Sequence, residues 1–248
     1  MPYRSDIAYV YDGSFEGLLC CVYESYYCKE LPFAIFDYSE EQRAIFAIKE
    51  ILTDPEKAKR VGDSIVEKIS GEALELVQLS YLSKLENREL AVLNFLRLGY
   101  KVGRQVTGML VHDAVTPIIK SAQTVKAEAH IFKGFTRFGD YNGALVAIIE
   151  PKCFILPVIA PYFCDRMPSE QFLIYDKTHK HAFIQHEGKR ELLPLEHLEL
   201  PEASDEELMF RALWKQFYNT IAIESRINPK LRINNLPKRY WMYLPELH

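Results

Sequence analysis

The hydrophobic period of this chain changes once, after Gly134, and that change limits what it can fold into. Upstream, apolar residues recur every three or four positions: Val61, Ile65, Val66 and Ile69, then Leu76, Leu79, Leu82, Leu85, Val92, Leu93 and Leu96. Such spacing puts one apolar stripe of a helix against a core. Downstream, short apolar runs stand between clusters of Gly, Asn, Asp and Lys, which is the punctuation of strands and tight turns. The two periods occupy separate blocks, so the chain is expected to be α+β.

Local signals give the element boundaries. A strand is expected over 7–11, followed by Asp12-Gly13-Ser14 and a helix over 15–26, with Asp12 or Ser14 as the cap and Gly13 allowing the tight turn. Asp54-Pro55 starts a second helix, since Asp caps and Pro fits the first helical position. Gly71 ends that helix or separates it from the next, and Gly99 is the expected stop of the leucine-rich stretch. Thr116-Pro117 opens a helix running toward Lys133. Beyond it, strands over 135–138 and 144–149 flank Gly139-Asp140-Tyr141-Asn142-Gly143, and a helix over 157–165 follows. A second hairpin pairs 172–176 with 181–186 about the turn 177–180. Residues 187–207 hold eight acidic and two basic residues with Pro194 and Pro201, the texture of an exposed connection, and a helix over 205–223 comes next. The expected fold is therefore a mainly helical first half, a small antiparallel sheet of two hairpins with an intervening helix, and a helical C-terminal region. A division into 1–85 and 86–248 fits this, as does one compact unit.

Composition narrows the function classes. With 48% hydrophobic and 26% charged residues, the 248-residue chain can bury a proper core. Its apolar runs are broken by Glu150, Pro151, Lys152 and Pro157, well short of the ~20 residues of a membrane helix. The start, Met-Pro-Tyr-Arg-Ser-Asp, has no apolar secretory segment, and five scattered cysteines suggest thiols in a reducing compartment, so a cytoplasmic protein is expected. Net charge is −4, so any nucleic-acid contact must come from a local patch.

One such patch stands out. Arg226, Lys230, Arg232, Lys238 and Arg239 lie between Ser225 and Pro245 with no Asp or Glu, interleaved with Tyr240, Trp241 and Tyr243. Cations attract phosphates and release counterions, and aromatic faces stack on unpaired bases. The competing reading is that the aromatics fasten the tail to the core. In the segment 133–138, Lys133 ends a helix and Arg137 sits on an expected strand between two aromatics, either facing a phosphate or paired to Asp140. His179, His181 and His186 raise a metal question, but His179 falls in a turn and Lys177 and Lys180 repel a cation, so no metal site is assigned. Glu150, Asp165 and Asp176, near expected element ends, are the carboxylates that could be catalytic. The glycines match no nucleotide-binding loop, no cofactor is implied, and no reaction is specified.

Several segments together resemble one bacterial family: 11–19 (Tyr-Asp-Gly-Ser-Phe-Glu-Gly-Leu-Leu), 132–138 (Phe-Lys-Gly-Phe-Thr-Arg-Phe), Ile149-Glu150-Pro151, Leu156-Pro157, Ala160-Pro161, 173–176, 236–241 and Leu244-Pro245-Glu246. The resemblance spans nearly the whole chain. It is to the family labelled probable DNA metabolism proteins, which carry the domain of unknown function DUF4130 in their later part. Members are typically encoded beside a radical-SAM protein assigned to DNA repair, and the domain also occurs fused to uracil-DNA-glycosylase-like domains. The resemblance thus implies a pathway and two partners, DNA and a radical-SAM protein. Many relatives have histidine where this chain has Tyr162, so a function resting on that histidine is not expected here. The leading expectation is a DNA-binding accessory factor using Lys133, Arg137, Lys238, Arg239, Tyr240 and Trp241. The rivals are a protein-interaction adaptor without DNA contact, and a glycosylase-like or nuclease-like enzyme using Glu150, Asp165 or Asp176.

Overall fold

The structure is a computed structural model that describes residues 3–38 and 47–247. Packing separates two compact units, 1–126 and 127–248.

The first unit is built on a short parallel sheet. β1 (Ile7–Tyr11) leads through Asp12, Gly13 and Ser14 into α1 (Phe15–Tyr27), and β2 (Ala34–Asp37) and β3 (Ala47–Glu50) flank β1 on either side. Both flanking strands run parallel to β1. A central parallel strand is covered on both faces, and Ile7, Ala8, Tyr9 and Tyr11 are all buried. Ser14 accepts the Gly17 amide at 2.9 Å, and the Asp12 carboxylate holds Ser14 in turn, so both expected cap residues act. β2 and β3 were not expected. β2 buries only Ile35 and β3 is mostly exposed, and neither shows a regular alternation, so nothing local marks them.

Helices supply the rest of this core. α2 (Pro55–Lys68) starts where Asp54 accepts the amides of Glu56 and Lys57, and Gly71 opens α3 (Gly71–Tyr81) behind the cap Ser70. The leucine-rich stretch is two helices, because Asn87, at φ 51°, breaks it before α4 (Arg88–Val102). Gly99 does not stop α4. It lies inside the helix, where an added Cβ would come within 2.6 Å of Ile69 Cδ1, so this glycine permits close packing. The stop is Gly103, at φ 69° and ψ −147°, a backbone region open almost only to glycine. Gly103→Ala should therefore lower stability by about 1–3 kcal/mol, read as a shift in thermal midpoint with an unchanged far-ultraviolet spectrum.

α5 (Thr116–Phe135) spans the division between the units, and the second unit has a single mixed sheet. Its strands are β4 (Gly139–Tyr141), β5 (Ala144–Ile149), β6 (Phe172–Asp176), β7 (His181–His186) and β8 (Lys189–Pro194), in that spatial order. The second expected hairpin is present as β6 and β7, whereas the first forms between β5 and β4, which lies within the expected turn, and β5 and β6 pair in parallel to join the two into one sheet. A parallel pair needs a crossover, and α6 (Leu156–Arg166) provides it. The expected exposed connection contains β8. Glu187 and Gly188, both at positive φ, make a two-residue turn that folds this edge strand back on β7. Residues 136–138 are not a strand: α5 continues to Phe135, the Thr136 amide still bonds the Phe132 carbonyl, and the ladder begins at Gly139. The chain then forms α7 (Asp205–Ile221), α8 (Pro229–Asn235) and a 3₁₀ helix, Lys238–Tyr243. The core of this unit includes Ile149, Leu156, Ile159, Phe163, Phe172 and Ile174.

Candidate nucleic-acid interface

Arg137 lies in the loop between α5 and β4 and is held from three directions. Its Nη2 donates to Glu246 Oε1 at 2.6 Å, its Nη1 donates to the Gly134 carbonyl at 3.1 Å, and its guanidinium lies 5.4 Å from the Trp214 ring centre. Glu246 also accepts the Trp214 indole N–H at 3.0 Å, so one buried carboxylate ties the 136–138 loop to α7. The partner of Arg137 is thus Glu246, since Asp140 caps its own turn by accepting the Gly143 amide. Arg137 Nε is buried without an acceptor. Unsatisfied buried donors are rare enough to single out this arginine.

A second carboxylate fixes the other wall. Glu207, on the first turn of α7, accepts the Asp140 amide at 3.0 Å and Arg211 Nε at 2.6 Å, while Arg211 also donates to the Tyr141 hydroxyl. Carboxylate and phenol together keep the Arg211 pKa above its ordinary value despite burial. Gly139 makes room for this clamp, because a Cβ there would come within 2.9 Å of Glu207 Oε1.

Between these walls is a cleft of about 790 Å³. Arg137, Arg166 and Arg211 line it with Tyr141, Phe210, Trp214 and Tyr243. An adjoining pocket of about 310 Å³ shares Arg137, Phe138 and Arg166 and adds Lys133 and Tyr162. Lys133 Nζ sits 5.6 Å from the Tyr162 ring centre. The two hollows share part of their lining, and both are lined by cations together with aromatic rings. Such a surface can hold phosphates by charge and flat bases by stacking.

The C-terminal aromatics divide between anchoring and exposure. Tyr240 is buried, donates its hydroxyl to Glu128 and packs edge-on against Phe132. Burial first, and then Glu128, push its pKa up to about 12. Arg239 donates to the Tyr240 hydroxyl and lies 3.9 Å from Glu128. Trp241 is half-buried, bonded through its indole N–H to the Leu236 carbonyl, with Arg232 and Lys238 over its ring. Arg239 and Arg137 converge on one small pocket beside Glu150 and Tyr243, whereas Lys238 and Trp241 line neither that pocket nor the cleft. Met242 and Tyr243, from the same 3₁₀ helix, do line the cleft.

The three carboxylates considered for catalysis are not gathered together. Glu150 accepts the Tyr243 hydroxyl at 2.7 Å and the Lys177 ammonium at 2.9 Å, and these partners lower its pKa. Asp176 is fully buried, where it accepts the Thr178 and His179 amides and meets His179 Nδ1 at 2.6 Å, so it organises the β6–β7 turn. Asp165 is exposed on α6. Of the histidines, His179 and His181 both pack on Phe154, and His186 bonds Gln171 at the far end of β7. Among the described residues no group of three His, Cys, Asp or Glu side chains is placed to hold a metal ion. Nor is any helix long and apolar enough to cross a membrane.

Sequence reasoning missed Tyr162, Arg166, Arg211 and Trp214 as lining residues, and Glu246 as the carboxylate that holds Arg137 and Trp214. Glu207 and Arg211 stand four apart on α7, a spacing visible in the sequence, but the long-range closure by Glu246 has no local signal.

Fold and cleft define an α+β protein whose second unit carries a cationic, aromatic recess between a sheet edge and a helix. The chain belongs to the family defined by a domain of unknown function, DUF4130, whose profile matches residues 86–246. That match begins within the first compact unit and ends at the glutamate that pairs with Arg137. No curated protein and no solved structure matches the chain.

Proposed function

We propose that this protein is a DNA-binding accessory factor that holds an unpaired strand in the cleft of its second unit and presents it to a separate repair or modification enzyme. The observation that carries the proposal is the convergence of Arg137, Arg166 and Arg211 with Trp214, Tyr141 and Tyr243 around one hollow. The volume of that hollow is in the range of small-ligand sites. It suits an extruded or single-stranded base with its phosphate, whereas a whole duplex is too wide to enter. Lys238 and Arg239 are exposed on the 3₁₀ helix that also supplies Met242 and Tyr243 to the cleft, but neither lines it. DNA rather than RNA, and an enzyme of the radical-SAM class as the recipient, are the choices favoured by the family resemblance. The carboxylates of the cleft walls, Glu207 and Glu246, are held by Arg211, Arg137 and Trp214, which favours holding a strand over cutting it.

Trp214 gives a direct test, because a base stacked on its ring quenches its fluorescence. In Trp241→Phe, which leaves Trp214 as the sole tryptophan, an oligothymidylate should quench emission saturably, and a blunt duplex of equal length should do so at least tenfold more weakly. Equal response to both, or none at ~100 µM oligonucleotide, contradicts the proposal.

A further inference from the structure

The first unit holds a second hollow, built from α1, α2 and the end of α4. Its volume is about 460 Å³, within the range of small-ligand sites, and Val22 and Val61 are the buried part of its lining. Tyr23, Tyr26 and Tyr27 stand at i, i+3 and i+4 on α1, a spacing that brings side chains to one side of a helix, and Tyr100 of α4 joins them. Tyr23 and Tyr27 are stacked at 5.7 Å, and Tyr26 meets Tyr100 edge-on at 5.5 Å. Tyr27 is 75% exposed, so most of its ring is left uncovered.

The wall supplied by α2 is cationic. Arg60, Ser64 and Lys68 recur every fourth position, which puts them on one stripe of the helix, and the Arg60 guanidinium lies 6.0 Å from the Tyr23 ring centre. No carboxylate lines the hollow. Glu24, beside Tyr23 in the chain, is taken by Lys49 at 3.4 Å and Lys57 at 2.9 Å, and among the described residues neither Arg60 nor Lys68 is ion-paired. Burial pushes the Tyr26 phenol up to about 12 and raises that of Tyr100, so neither ring brings negative charge near neutral pH. Rings alone would suit any flat apolar guest, and cations alone any anion. Together they suit a flat ring that carries an anionic group. A phosphate monoester has close to two negative charges at neutral pH, matching the two cations, whereas a carboxylate has one. We infer that this pocket binds a nucleoside phosphate, with its base stacked on the tyrosines of α1 and its phosphate held by Arg60 and Lys68.

Isothermal titration calorimetry of the full chain with deoxyadenosine 5′-monophosphate tests this inference. Saturable binding is expected with a dissociation constant below ~1 mM, and deoxyadenosine and inorganic phosphate, each carrying half of the chemistry, should bind at least ~10-fold more weakly. Arg60→Ala combined with Lys68→Ala should weaken the nucleotide about 10-fold and leave the nucleoside unchanged. Tyr27→Ala should weaken both about 5-fold. All three side chains are exposed, so these variants should keep the circular dichroism spectrum of the native chain. Trp214→Ala, in the cleft of the second unit, should change neither affinity. Absence of binding overturns the inference, as does equal affinity for nucleotide and nucleoside. An affinity untouched by the Arg60 and Lys68 changes overturns it too, and so does a loss caused by Trp214→Ala, which would put the nucleotide in the cleft.

Discussion

Glu128→Ala should destabilise the second unit by about 3–5 kcal/mol, which is the usual cost of stripping a buried charge from its partners. Glu128 sits on α5 with its side chain 7% exposed and accepts the Lys152 amide at 2.9 Å, the Cys153 amide at 2.7 Å and the Tyr240 hydroxyl. Alanine removes the acceptor of all three donors and the hydrogen bond that ties the 3₁₀ helix to α5. Both tryptophans, Trp214 and Trp241, belong to this unit, so a urea titration followed by their fluorescence reports it selectively. The pH dependence has a definite sign. Burial alone would raise the Glu128 pKa, yet the Tyr240 hydroxyl and the two amides bring it below its ordinary value of 4.5, and Glu150 is lowered by Tyr243 and Lys177. A carboxyl with a depressed folded pKa contributes its full stability above its unfolded pKa and loses it as pH falls through the folded one. The urea midpoint should therefore fall below about pH 4.5 in the native chain, and less steeply in Glu128→Ala. Equal midpoints for variant and native chain at pH 7 would contradict this account of α5.

The second large effect concerns the cleft. Trp214→Ala should weaken single-stranded DNA binding by about 5- to 150-fold, from the ~1–3 kcal/mol that stacking on an aromatic ring contributes per base. Lys133→Ala combined with Arg166→Ala should remove two phosphate contacts and reduce the slope of log affinity against log salt by about 1.4, at ~0.7 per contact on a single strand. The two effects are separable, since loss of a ring changes affinity at every salt concentration and loss of cations changes the slope. Arg137 is a poorer probe, because removing it strands the buried Glu246 carboxylate. Fluorescence anisotropy of a labelled oligonucleotide at several salt concentrations measures both. An unchanged slope in the double variant would show that Lys133 and Arg166 do not face the backbone.

Much of the fold was legible because its signals are local. Ser14 and Asp54 each cap the helix that follows them, and Asn142 and Gly143, within the expected turn, take positive φ. What escaped depends on distant pairing. β2 and β3 become strands because β1 lies between them, and β8 is an edge strand with mostly exposed residues that looks like linker. The site divides in the same way. Lys133 and Arg137 stood out as cations beside aromatics. For Tyr240 the sequence left open a stacking face or a fastening of the tail, and it is a fastening, because Glu128, more than a hundred positions away, accepts its hydroxyl. The wall made by Arg211 and Trp214 exists only because Glu207 and Glu246 pull α7 onto β4 and the 136–138 loop.

The central claim, that cations and rings in the second unit hold an unpaired DNA strand, is tested most directly by titrating the native chain with single-stranded and duplex DNA between ~50 and ~200 mM salt. The account predicts tighter binding of the single strand, with affinity falling about seven- to fiftyfold over that range as two to four phosphate contacts are screened. Binding that ignores salt, or that prefers the duplex, would contradict it.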